Sequence, residues 1–237
     1  MDSEYLFTLN EFIEKNKKNP KYKQLIDDFY EFPEDESLFS MRIKFEQRIN
    51  DIVIFHRYVV LTYNNNKKIL NPIFSEFNKH YSNAFDAIKP EEKHFARLSF
   101  KNYNWKEEQE QAKIIANESL VINLWTTVEQ YTNRCLLFVD NNNQKSYRWD
   151  IIKSKFEKKE INLSNISSYS TIDELRVLNN KIKHLYVVDT QLAKFDNFKD
   201  HVNKELNYVP FKLEDYIVST YHFIYKLINS LGNSVQY

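Results

Sequence analysis

The C-terminal segment at residues 213–232, LEDYIVSTYHFIYKLINSLG, carries the clearest periodic pattern in the chain. Its core-type residues recur at steps of three and four, a spacing that places them along one stripe of an α-helix. The stripe consists of Leu213, Ile217, Thr220, Ile224, Leu227, Ile228 and Leu231. The pattern therefore predicts an amphipathic helix that packs by this stripe and ends at Gly232.

The same period appears upstream and predicts a long helix over residues 105–138, followed by a polar loop at residues 140–143. Its apolar positions are Ile114, Val121, Leu124, Trp125, Val128, Cys135 and Phe138. A shorter helix is expected at about 149–158, then a polar loop at 162–170. Another helix is expected to open at Ser170 and Thr171, where Thr171 and Glu174 have the spacing of a capping box.

The first hundred residues also favour helices. One or two short ones are predicted within residues 2–32, bounded by Pro20 and Pro33, and a longer one at 38–63. The run 64–68 is rich in Asn and Lys and predicts a turn, followed by a helix at 72–88 that Pro90 ends. Two short candidate strands, at 96–100 and 186–188, are too short to build a sheet. The expected fold is an all-α helical bundle, with an N-terminal helical region at 1–104 and a C-terminal bundle at 105–237.

Composition excludes several classes of site. The chain of 237 residues contains one glycine, so phosphate-binding loops that need several glycines are excluded. Its 33 basic and 33 acidic residues balance, which argues against general coating of nucleic acid.

The lone Cys135 is expected to be a core thiol in a reducing compartment. Five histidines are scattered without the spacing of a metal site, so no metal or cofactor is expected: His56, His80, His94, His201 and His222. No signal peptide or membrane-length apolar run is evident, and we expect a soluble cytoplasmic protein without a membrane partner.

The helix near residue 180 has two faces. Its apolar stripe consists of Ile172, Leu175, Leu178, Ile182 and Leu185. Arg176, Asn180 and His184 follow one another at intervals of four on a different face. With Lys183 they could hold an anion such as a phosphate, and histidine has the pKa that suits acid–base chemistry near neutrality. The alternative reading is an ordinary solvated helix face.

The run 173–184, DELRVLNNKIKH, resembles the signature helix of HEPN domains. The preceding long helix, with LWTTVE at 124–129, and the layout from residue 149 onward are similar to the same family, so the resemblance covers residues 105–237. Many HEPN domains are metal-independent ribonucleases in which arginine and histidine from two protomers meet at the dimer interface. The resemblance implies that histidine helps to activate the ribose 2′-hydroxyl while arginine stabilises charge on the phosphate.

Within this resemblance His184 matches the family histidine, and Asn180 matches the polar residue one turn before it. Asn179 occupies the position of the motif arginine, and the nearest arginine, Arg176, stands eight residues before His184. The resemblance implies Arg176, Asn180 and His184 as catalytic residues, with Asn179 and Lys183 contacting substrate. Alternatively, Arg176 forms an ion pair with Asp173 or with Glu129, and His184 only bonds across a helix interface.

The expected function is that of a HEPN-like protein of bacterial defence or toxin–antitoxin type, acting as a metal-independent endoribonuclease on RNA. Its expected partners are RNA or a nucleotide, a second copy of the chain, and an antitoxin or defence-complex protein. The alternative is a catalytically silent helical module that dimerises and binds RNA, a nucleotide or a protein. A basic segment could guide RNA toward His184 or form a solvated helix face; it comprises Lys145, Arg148, Lys153, Lys155, Lys158 and Lys159.

Overall fold

The computed structural model describes residues 6–81, 90–140 and 144–234. Within these ranges the chain forms seven α-helices connected by loops and short 3₁₀ turns. They are α1 Leu9–Asn16, α2 Lys23–Phe29, α3 Glu36–Tyr81, α4 Pro90–Val139, α5 Trp149–Glu157, α6 Tyr169–His184 and α7 Leu213–Ser234. The described residues contain no strand beyond one isolated bridge between Val187 and Glu205. The predicted all-α helical bundle is confirmed.

Several helices match their predicted places, and others are longer. The N-terminal pair, α5 and α7 are confirmed, although α7 continues through Gly232 to Ser234 instead of ending there. The predicted turn at 64–68 is wrong, because α3 continues through it and contains Pro72. The candidate strand at 96–100 is also wrong, since it lies inside α4. Asn and Lys cost at most about 0.7 kcal/mol each in a helix, which packing between helices readily outweighs.

The chain divides into two compact units, one formed by residues 1–54 and 118–237 and the other by residues 55–117. Residues 82–89, which include part of the helix predicted at 72–88, lie outside the described residues. The predicted boundary after residue 104 stays a prediction.

The larger unit has a continuous apolar core to which α1, α2, α5, α6, α7 and parts of α3 and α4 contribute. Aromatic rings occupy much of it: Phe45 makes edge-on contacts with Tyr131, Tyr221 and Tyr225 at centroid distances of 5.0, 6.0 and 5.9 Å. Such pairs add to the stabilisation from buried area. The thiol of Cys135 is fully buried, which raises its pKa to about 12 and confirms it as a core thiol.

The smaller unit pairs the C-terminal part of α3 with the N-terminal part of α4. His56 Nε2 lies 2.8 Å from Asn117 Oδ1, and the Tyr63 hydroxyl donates to Glu110. The later residue of α3, Tyr63, contacts the earlier residue of α4, Glu110, so the two segments run antiparallel. Burial lowers the pKa of His56, and its bond to Asn117 opposes that effect.

A polar cluster that we call the α2–α7 anchor consists of the buried Asp28, Ser168 and His222 and the partly exposed Lys226. His222 Nε2 lies 2.9 Å from Asp28 Oδ2, and His222 Nδ1 lies 3.2 Å from Ser168 Oγ. Lys226 Nζ forms an ion pair with Asp28 Oδ1 at 2.7 Å. Burial alone would raise the pKa of Asp28, but the bonds from Lys226, His222 and Gln24 together lower it. The anchor therefore joins α2, the start of α6 and α7 through charged and polar contacts.

Candidate functional site

Helix α6 begins at Tyr169, and its first turn differs from the prediction. Ser168 precedes the helix without a side-chain capping bond, because its hydroxyl faces His222 instead. The predicted capping box at Thr171 and Glu174 is wrong. Glu174 is buried and accepts hydrogen bonds from Lys212 Nζ at 2.8 Å and from the Tyr216 hydroxyl at 2.7 Å. Its carboxylate thus binds α6 to α7 and the residue before it.

The apolar stripe of α6 is only partly buried. Ile172, Leu175 and Leu178 have no exposed surface, as expected, whereas Ile182 is half-buried and Leu185 is 60% exposed. The predicted burial of Leu185 is wrong, because α6 ends at His184 and Leu185 lies in the following loop. The apolar stripe is therefore fully buried as far as Leu178 and only partly covered in the last turn of α6.

The opposite side carries the predicted site residues, and we call Arg176, Asn180, Lys183 and His184 the open face of α6. Asn180, Lys183 and His184 are exposed, and Arg176 is partly exposed. The His184 imidazole has no side-chain partner among the described residues. Arg176 Nε donates to Asp173 Oδ1 at 2.9 Å, so the predicted alternative of an Arg176–Asp173 ion pair is confirmed.

Two polar residues between these positions point into the protein. Asn179 is 2% exposed; its amide donates to Asn180 Oδ1 at 3.3 Å, and its own buried Oδ1 has no hydrogen-bond partner among the described residues. Lys181 forms an ion pair with Asp189 at 2.7 Å. A substrate on the open face would therefore meet Asn180 before Asn179.

The end of α6 is held in place by the loop that follows it. Leu185 and Tyr186 both donate backbone hydrogen bonds to the Lys181 carbonyl, and Tyr186 has a φ of 54°. Glycine is the usual residue for this left-handed conformation, so Tyr186 stores some backbone strain. Its hydroxyl donates to Glu118 of α4, which ties the turn to the bundle. These contacts hold the backbone at the end of α6, where His184 lies.

Glu129 of α4 lies near Lys183 of the open face. Burial raises the pKa of Glu129, while a hydrogen bond from Trp125 and the charge of Lys183 act in the opposite direction. Glu129 therefore neighbours Lys183, whereas Arg176 contacts Asp173.

The spacing of the open face limits what one α6 can do. Arg176 and His184 are separated by eight residues, or about 12 Å along the helix axis. That distance exceeds the size of one phosphate group. On a single α6 the two side chains would have to extend toward each other to reach one phosphate, whereas a second helix could bring an arginine directly beside His184.

A cleft of about 560 Å³ opens between α5 and α6. Successive turns of α5 line one wall with Trp149, Lys153 and Glu157, and α6 lines the other with Tyr169 and Arg176. The Trp149 indole donates to the Tyr169 hydroxyl at 3.3 Å, and the Lys153 ammonium lies 5.1 Å from the Tyr169 ring centroid. This α5–α6 cleft combines an aromatic wall with charges of both signs and shares Arg176 with the open face.

Sequence reasoning missed the cleft and the α2–α7 anchor. Lys153 appeared only within a basic segment, because a helical period identifies a polar face without identifying the element opposite it. Asp28 and His222 are 194 positions apart, and no local spacing connects them. Two members of that basic segment have carboxylate partners: Arg148 pairs with Asp150 at 2.6 Å and Lys159 with Asp140 at 3.8 Å.

Residues 6–81, 90–140 and 144–234 contain no group of three or more His, Cys, Asp or Glu side chains placed to hold a metal ion. None of the helices in these ranges combines the length and apolar character needed to cross a bilayer. Comparison of the chain with protein-family models, with curated proteins and with solved structures found no match.

Proposed function

We propose that the protein is a HEPN-like endoribonuclease that cleaves RNA without a metal at a site shared by two copies of the chain. The observation that carries this proposal is the exposed His184, which lies two helical turns beyond Arg176 on the open face. An exposed imidazole without an intramolecular partner can exchange a proton with a substrate hydroxyl. Arg176 supplies the positive charge that stabilises a phosphorane-like transition state.

A two-fold dimer would bring these groups together. Asn180 lies midway between Arg176 and His184, so two antiparallel α6 helices that cross at Asn180 place Arg176 of one copy beside His184 of the other. An isologous interface makes the same contact twice, which yields two equivalent sites. Neither site is complete in one copy, because each takes its histidine and its arginine from different chains.

The Arg176–Asp173 ion pair is compatible with this role. Only Arg176 Nε contacts Asp173, and the two terminal nitrogens of the guanidinium have no hydrogen-bond partner among the described residues. Neither terminal nitrogen is buried, so solvent reaches both. A guanidinium oriented by a carboxylate keeps its outer edge available for a phosphate.

Complementation between two inactive variants is the sharpest test. Purified protein is incubated with mixed RNA in EDTA; His184→Ala and Arg176→Ala are each expected to lower the cleavage rate about 10²- to 10⁴-fold. When the two variants are mixed and allowed to exchange subunits, about half of the dimers should be heterodimers. Each heterodimer has one intact site out of two, so about a quarter of all sites are intact. About a quarter of wild-type activity should return.

His201→Ala is the matched control, since His201 lies in a loop outside the open face, and it should cleave at the wild-type rate. Cleavage that persists in His184→Ala would overturn the proposed site. If the two variants are inactive alone and remain inactive when mixed in a subunit-exchanging dimer, the shared site is wrong.

A second candidate, the catalytically silent module that binds RNA, a nucleotide or a protein, is favoured by Asn179. This residue stands where the HEPN motif has arginine, and its side chain is buried. In that case wild-type protein would bind RNA without cleaving it, and His184→Ala would change only the affinity. The same cleavage assay, combined with a binding measurement, separates the two candidates.

A further inference from the structure

We propose that the α5–α6 cleft binds one unpaired nucleotide of the RNA and prefers the amino-bearing bases cytosine and adenine over uracil. The inference rests on the proposed function, because Arg176 belongs to both the cleft and the open face. It goes beyond that function by assigning a separate binding site and a base preference.

The size and walls of the cleft suit a nucleotide. A volume of about 560 Å³ falls within the usual range for small-molecule sites. Tyr169 is partly exposed and is held by the hydrogen bond from Trp149, so its ring offers a fixed aromatic surface. Unpaired RNA bases are commonly recognised by stacking on such rings.

The cations of the cleft suit the phosphates on either side of that base. Lys153 forms no ion pair with any carboxylate in the described part of the chain, and its ammonium lies beside the Tyr169 ring. The outer edge of Arg176 lies on the opposite wall. A stacked base would thus have one positive charge on each helix for the neighbouring phosphates.

The carboxylates of the cleft determine the base preference. Asp150 forms an ion pair with Arg148, and Asp173 forms one with Arg176. Glu157 is exposed and makes no ion pair with the described residues, so it is the carboxylate left to accept a hydrogen bond. A carboxylate accepts from the amino groups of cytosine or adenine and repels the exposed carbonyl oxygens of uracil.

Binding of non-cleavable RNA tests the inference separately from catalysis. Short single-stranded 2′-O-methyl oligonucleotides of cytosine, adenine or uracil, labelled with a fluorophore, are titrated with wild-type protein and binding is followed by anisotropy. Wild-type protein should bind the cytosine and adenine strands about tenfold more tightly than the uracil strand. Glu157→Gln should remove most of that ratio, and Tyr169→Ala should weaken binding of every strand.

Lys153→Ala should weaken the binding of all three strands by a similar factor, because Lys153 is proposed to contact phosphate. The nearby Lys158→Ala is the matched control and should bind as wild type does. His184→Ala should keep the full base preference, since His184 lies outside the cleft. Equal affinity for the three strands, or a preference unchanged in Glu157→Gln, would overturn the inference while leaving cleavage at His184 intact. Conversely, an unchanged base preference in a protein that never cleaves RNA would contradict only the proposed function.

Discussion

Helix α6 has polar residues on two sides, and their surroundings differ. On the inner side Glu174 and Lys181 each meet a partner of opposite charge within 3 Å, and Asn179 is closed off from solvent. On the open face His184 has no partner among the described residues, and Asn180 bonds only its neighbour. Both sides show helical spacing in the sequence, so spacing alone could not distinguish them.

This difference shows which polar residues hold the fold together and which are available to a ligand. A buried charge without a partner is strongly destabilising, so the inner residues and the α2–α7 anchor must be satisfied within the chain. An exposed side chain costs little whether it has a partner or not. Substitutions of the inner residues and of the anchor should therefore lower the free energy of unfolding clearly, whereas substitutions on the open face should change it little.

The largest loss of stability is expected for Asp28→Ala. Removing this carboxylate takes away the buried acceptor of His222, which keeps only Ser168, and one of the two acidic partners of Lys226. Breaking a buried pair from one side typically costs about 3 to 5 kcal/mol. Urea unfolding followed by circular dichroism measures the change. Glu31→Ala, which removes the exposed second partner of Lys226, is the control and should cost less than about 1 kcal/mol. Similar losses in the two variants would contradict the structural role of the anchor.

Glu174→Gln should have an intermediate effect. Glutamine preserves the shape and one acceptor for Tyr216, but it leaves Lys212 without a negative charge, for a loss of about 1 to 3 kcal/mol. Glu34→Gln, at an exposed loop position, should change the free energy of unfolding by no more than about 0.5 kcal/mol. If Glu174 only capped α6, a Thr171→Ala variant would lose as much stability, and that result would argue against its bonds to α7.

The anchor should also make the free energy of unfolding depend on pH. The pKa of Asp28 is lower in the folded protein than in the unfolded chain, so its contribution is fully present above the unfolded value of about 4. That contribution is lost as the pH falls through the folded pKa. Asp28→Asn should therefore be less stable than wild type at pH 7, and the difference should shrink below about pH 4. A difference that stays constant down to the acid transition would contradict this assignment.

The smallest effect on stability is expected on the open face. His184→Ala and Asn180→Ala remove exposed side chains and should each change the free energy of unfolding by less than about 0.5 kcal/mol. The same urea titration provides the measurement. A loss above about 1 kcal/mol for His184→Ala would mean that the imidazole supports the fold, and any loss of RNA cleavage in that variant would then need another explanation.

Local pattern predicted most of the helices but not their length or their partners. The periods around α5, α6 and α7 were strong enough to predict each one, because most turns of these helices bury apolar residues in the core. The Asn- and Lys-rich run at 64–68 and Pro72 suggested breaks that the protein does not have. Local propensity is weak beside packing between long helices, so it could not decide those points.

The sequence by itself determined the all-α class, the buried thiol at Cys135, and a helix on which Arg176, Asn180 and His184 share one face. These features follow from residue type and helical period, which are local properties. Only the tertiary structure decided that Glu174 bonds α7, that Asp28 and His222 meet, and that Lys153 and Arg176 line one cleft. Each of these joins residues from different helices, and the packing that brings them together depends on the whole core.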